Sequence, residues 1–114
     1  MKPQDVIVSG LDEIEGYKTR HVQIVQSSVV LGANFVKDFF AKISDVVGGR
    51  SSSYEKTCDE GIKQAIENLQ GKAAKLGANA ILKTTFEYNS IGEKNTMITI
   101  HAYGTAVVLS EKDK

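Results

Sequence analysis

The run Gly48-Gly49-Arg50-Ser51-Ser52-Ser53-Tyr54-Glu55-Lys56 constrains the fold of this chain more than any other segment. It cuts a long stretch of helical periodicity in two. Before it, Phe35, Val36, Phe39, Phe40, Ile43, Val46 and Val47 recur at three- and four-residue steps behind Asn34, a good N-cap. After it, Tyr54, Cys58, Ile62, Ile66, Leu69, Ala73 and Leu76 make one apolar stripe. Gly48 is placed to stop the first helix, Ser52 and Glu55 fit a capping box for the second, and Gly77 ends it. Gly61 and Gly71 interrupt the second helix at roughly 1 kcal/mol each against alanine, which is tolerable where another backbone packs close.

On either side of the helices the period changes to two. Val6-Ile7-Val8 reads as a brief strand at a sheet edge, and Leu11–Gly16 as an acidic turn. Tyr17–Val30 is a strand with one face better buried; strict alternation puts Val22, Ile24 and Gln26 on one side and His21, Gln23 and Val25 on the other. Ala80–Tyr88 alternates with Leu82, Thr84, Phe86 and Tyr88 together, and Asn89–Asn95 reads as a polar hairpin loop. The last strand, Thr96–Leu109, sets Ile98, Ile100, Ala102, Gly104, Ala106 and Val108 against a mixed face with Thr99, His101, Tyr103 and Val107. The fold class expected is α+β: a small antiparallel sheet with two helices on one face, order β-α-α-β-β, and an extra short N-terminal strand.

At 114 residues this is one domain, residues 1–114. Fourteen basic residues balance fourteen acidic ones, which removes the bulk attraction that nucleic-acid binders use. No apolar run has the length of a membrane span, and no h-region follows Met1-Lys2-Pro3. One cysteine, Cys58, allows no internal disulfide. The expectation is a cytoplasmic protein without nucleic-acid or membrane partners. A sheet this small with apolar residues on both faces is expected to find its partner in copies of itself.

The block Leu31-Gly32-Ala33-Asn34, the Phe39-Phe40 pair, Asp45–Ser51, Tyr54-Glu55, Leu76–Ala80 and Gly104–Val107 together resemble the YbjQ family of small bacterial and archaeal proteins. That family is described as heavy-metal-binding and is otherwise uncharacterised. The resemblance spans nearly the whole chain. It implies a dodecin-like subunit assembled into a ring, a homopentamer, and implies no established reaction or cofactor.

Three chemistries are open on the residues themselves. Free N–H groups at a helix start, the hydroxyls of Ser51, Ser52 and Ser53, and Arg50 beside Glu55 make a candidate cup for a small anionic ligand. The plainer reading of that junction is a tight interhelical turn. Metal binding would fall to His21, Cys58 and His101, which form neither C-x-x-C nor H-x-x-x-H; the two histidines would become neighbours if their strands pair. An enzyme acting on a phosphorylated small molecule would need a base beside Ser52 or Ser53, for example His21.

Overall fold

The computed structural model describes residues 2–31, 50–91 and 97–112, with side chains along the helix from Asp59 onward. The first expected helix, with its Phe35/Phe39/Phe40 face, lies outside the described residues. A short 3-10 turn at Pro3–Asp5 is followed by β1 (Ile7–Val8), β2 (Tyr17–Leu31), α1 (Arg50–Lys75), β3 (Ala80–Ile91) and β4 (Met97–Glu111). The sheet order is β1-β3-β4-β2. Strand β4 runs antiparallel to both neighbours, whereas β1 runs parallel to β3.

The expected antiparallel sheet under two helices is therefore corrected. Among the described residues there is one α-helix on a four-stranded mixed sheet. Alternation over two residues carries no information about direction; β1 takes its direction from the outer edge of β3. Ile7 N–H donates to the Asn79 carbonyl (3.1 Å) and Ser9 N–H to that of Ile81 (2.9 Å). The capping box is corrected as well, because Arg50 to Ser53 are already helical and Ser52 sits inside the first described turn. Strand β3 continues to Ile91, through the start of the expected hairpin loop.

Two β-bulges decide which residues share a face. In β3 the register jumps between Leu82 and Thr85, and Lys83 adopts φ +53°, left-handed backbone unusual for a residue with a side chain. Its N–H leaves the ladder and donates to the Leu11 carbonyl (2.9 Å), while Thr84 N–H donates to Ser9 (3.0 Å). Gly104 lies opposite, where a Cβ would stand 2.7 Å from Ile81 Cγ2 and 3.0 Å from the Leu82 carbonyl oxygen. Past the bulge the sides exchange. Leu82 joins Ala80, Val107 and Leu109 in a small cluster under Ile14, and Phe86 packs on the helix side, so the two do not share the face that alternation gives them. The second bulge, at Val22, moves His21 onto the face of Ile24 and leaves Val25 and Ser27 buried on the other.

Helix α1 lies on Ile98, Ile100, Ala102 and Ala106 of β4. The face it buries is Gly61, Ala65, Leu69 and Ala73, at steps of four and small except for Leu69. This is one position away from much of the expected stripe, and Leu76 is 40% exposed. Small residues win because the helix approaches closely: a Cβ on Gly61 would meet Ile100 Cδ1 at 2.5 Å, whereas one on Gly71 would meet nothing within 4 Å. The helix stops in a Schellman motif at Gly77 (φ +79°), with Ala78 N–H on Ala73 and Gly77 N–H on Ala74. Asn79 then clamps the start of β3 to β4, its side chain donating to the Leu109 carbonyl (3.0 Å) and accepting from the Leu109 N–H (2.7 Å).

These contacts order two glycine substitutions. Gly104→Ala should cost about 1–3 kcal/mol by overpacking the bulge, and Gly71→Ala should gain about 1 kcal/mol of helix propensity. Urea denaturation at matched protein concentration reads both. A Gly104→Ala protein as stable as the parent would contradict the close contact.

Candidate functional site

The sheet face turned away from α1 carries the first candidate. Antiparallel register sets Ser28 directly across from His101, and His101 across from Glu87. Ser28 Oγ lies 2.7 Å from His101 Nδ1. One residue pair along, the Tyr103 hydroxyl donates to Glu87 Oε1 at 3.3 Å. Either the serine hydroxyl donates to Nδ1 or a protonated Nδ1 donates to the serine; in both cases Nε2 stays out of that bond. A hydroxyl on an imidazole with a carboxylate one strand away is the set of parts a nucleophile needs. Acyl transfer also needs an enclosed place for the reacting carbonyl and donors for its oxyanion. Ser28 and Glu87 are exposed, and among the described residues no element encloses the row, which has the form of a polar cross-strand ladder. Beside it Thr99 is 4% exposed, and among the described residues its Oγ1 has no hydrogen-bond partner.

The proposed metal residues are not brought together. His21 and His101 do lie on paired strands and the same face, but His21 faces Val107 and His101 faces Ser28. Six positions separate them along β4, roughly 20 Å at about 3.3 Å per residue. Cys58 is on α1, with its side chain outside the described set. No group of three His, Cys, Asp or Glu side chains is arranged for a metal ion among the described residues. Arg50, Ser51, Ser52, Ser53 and Glu55 open α1, and their side chains too lie outside that set.

The second candidate is a groove of about 420 Å³ where the outer edge of β2, Gln23–Gln26, meets the last turn of α1 at Lys72, Lys75 and Leu76. The lysines sit where helix carbonyls lack partners and a cation is favoured. Lys72 Nζ donates to the Gln26 carbonyl, tying the helix end to the edge strand. Leu76, 40% exposed, adds an apolar side chain to the helix wall of the groove, while Ile24 pairs with Thr105 on the sheet face turned away from α1. Two ammonium groups beside it suit an acidic occupant. Sequence reasoning missed this groove, along with Ser28, Glu87 and Tyr103. The three-residue spacing of Lys72 and Lys75 was visible, but their proximity to β2 depends on a packing angle that no local pattern encodes.

Comparison with known proteins decides the family. The YbjQ family model, described as "Putative heavy-metal-binding", matches residues 6–110. The chain belongs to the YbjQ family. A UPF0145 protein of Actinobacillus pleuropneumoniae serotype 5b is 40% identical over 105 residues, covering 91% of this chain and 99% of its own. A UPF0145 protein of Pasteurella multocida is 42% identical over 106 residues, with the same coverage. The fold also resembles a solved protein of unknown function of the DUF74 family from Pediococcus pentosaceus, at TM-score 0.66 and 15% identity over 92% of this chain and 98% of that one. Within this YbjQ-family chain no described helix is long and apolar enough to cross a membrane.

Thr99 yields the prediction here. Replacing its orphaned hydroxyl by a methyl in Thr99→Val should raise stability by about 1 kcal/mol, read as a higher thermal midpoint. A lower midpoint would mean that the hydroxyl has a partner in solution.

Proposed function

We propose that this YbjQ-family protein is a non-enzymatic assembly module of the cytoplasm that closes with copies of itself into a ring. One observation carries the reading. The chain exposes 7826 Å², whereas a compact monomer of 12.4 kDa exposes roughly 6,100 Å². The surplus, about 1,700 Å², is close to the area a standard protein–protein interface buries in total. The shape agrees: the radius of gyration is 17.3 Å, against roughly 13 Å for a compact chain of this length. Among the described residues both sheet edges are open. Strand β2 is the end of the sheet, and on the far side β1 covers only the first two positions of β3. These edges differ, so their contact is head-to-tail, the geometry that closes into rings. Five subunits is what the family resemblance implies. Sedimentation at micromolar concentration should give a discrete multimer; a monodisperse monomer would overturn the proposal.

The family description supports a second reading, heavy-metal binding. His101 and Glu87 face each other across β3 and β4, and a ring would repeat that pair in every subunit. Purified, untagged protein should then retain zinc, copper or nickel in stoichiometric amount, and His101→Ala should release it. Elemental analysis free of metal, with a thermal midpoint unmoved by added ions, would remove this reading. An anionic ligand at Arg50 is a third reading, carried by the sequence Arg50-Ser51-Ser52-Ser53 in the first described turn of α1. Arg50→Ala should then abolish phosphate binding and leave the multimer intact.

A further inference from the structure

The segment between β1 and β2 crosses the sheet face turned away from α1 and is held there by few contacts. On that face Ala80, Leu82, Val107 and Leu109 form a buried cluster, and among the described residues Ile14 is the side chain from outside the sheet that packs on it. The side chains around Ile14 are exposed: Leu11 to 64%, and Asp12, Glu13 and Glu15 with it. Two backbone bonds join the start of the segment to the β3 bulge, Thr84 N–H to the Ser9 carbonyl (3.0 Å) and Lys83 N–H to the Leu11 carbonyl (2.9 Å). Gly10 and Gly16 bracket the rest. A Cβ on either would meet nothing within 4 Å, and Gly16 is left-handed at φ +86°. There the chain is secured again, Tyr17 N–H donating to the Ile14 carbonyl (3.1 Å) and Lys112 N–H to that of Gly16 (3.0 Å).

We propose that Ser9–Gly16 is a latch, which lifts from the sheet as a unit with Ile14 as its plug and the bulge at Lys83 and Thr84 as its catch. Docked, the segment supplies the acceptors for both bulge amides, and Lys83 holds left-handed backbone (φ +53°) that a residue with a Cβ does not favour. Lifted, it takes those acceptors away, and Lys83 is released to ordinary strand backbone. Strap and bulge therefore change state together. Lifting costs little beside global unfolding. The freed amides lie past the two β3 positions that β1 covers, on an edge that no other described strand pairs, and the apolar loss is one partly buried side chain. Lifting also bares Leu82, Val107 and Leu109, an apolar seat of which Ile14 is the built-in occupant. The latch is internal to one chain and does not depend on the ring.

Amide hydrogen exchange of the whole protein, at one protein concentration for parent and variants, tests the latch. The reference is the amides of Ala102 and Ala106, buried in the central strand β4. In the parent the Lys83 and Thr84 amides should exchange with one common protection factor, about a hundredfold or more below that of the reference amides. Ile14→Ala should speed exchange of both by about tenfold, from the lost burial of the plug, and leave the reference amides unchanged. Lys83→Gly should act the other way, slowing the Thr84 amide by about threefold or more because glycine takes the left-handed backbone freely. Bulge amides that exchange no faster than the reference, or with separate protection factors, would overturn the latch. An Ile14→Ala protein that unfolds, or that loses protection equally in β4, would show Ile14 to be part of the global core and would also overturn it. Lys83→Gly without effect on Thr84 would remove the bulge as the catch, and with it the proposal.

Discussion

The contact of Gly104 with the bulge at Lys83 and Thr84 is the constraint on which the rest of the structure depends. The missing side chain lets β4 approach the kinked part of β3, where Ile81 Cγ2 and the Leu82 carbonyl occupy the space a Cβ would take. The bulge has two consequences. It exchanges the faces of β3, giving Leu82 to the cluster under Ile14 and Phe86 to the helix side. It also turns two N–H groups outward, and Ser9 and Leu11 accept them. A local irregularity thereby fixes the path of a segment seventy residues away in sequence.

Much of the fold was legible in the residues. Period-two patterning located β2, β3 and β4 to within a few positions, and Gly77 marked the end of α1 because a left-handed cap there favours glycine. The apolar small-residue face of β4 was also correct, since every strand residue from Ile98 to Ala106 keeps its parity. What failed was parity across the bulges. One extra residue in β2 or β3 moves every later side chain to the other face, and nothing around Val22 or Lys83 announces it. The buried face of α1 was misplaced for a related reason. An apolar count favours Ile62 and Ile66, but a helix this close to Ile100 has room for Gly61 and Ala65.

The candidate sites were harder to read because each joins residues that only register can unite. His21 and His101 share a face through the bulge at Val22, yet the pairing places Ser28 beside His101 and leaves His21 far along the strand. The polar row of Ser28, His101 and Glu87 has the components of catalysis, with no enclosing pocket among the described residues. The groove at the edge of β2 carries charge, from Lys72 and Lys75 at the end of α1, beside the exposed Leu76. Surplus surface and edges left open among the described residues are thus two views of one unfinished boundary. In the proposed ring, a neighbouring copy would close that boundary.

Covalent capture tests that statement most directly. Leu11 and Ile24 lie on opposite edges, three strand spacings or about 14 Å apart, beyond the roughly 7 Å that a disulfide can bridge. In a Cys58→Ser background, Leu11→Cys with Ile24→Cys can therefore form a disulfide only between copies. Mild oxidation should give a ladder of linked chains that stops at the ring size on a non-reducing gel, with neither single cysteine variant passing beyond a dimer. A double variant that stays a single chain under oxidation while the protein sediments as a multimer would contradict the account.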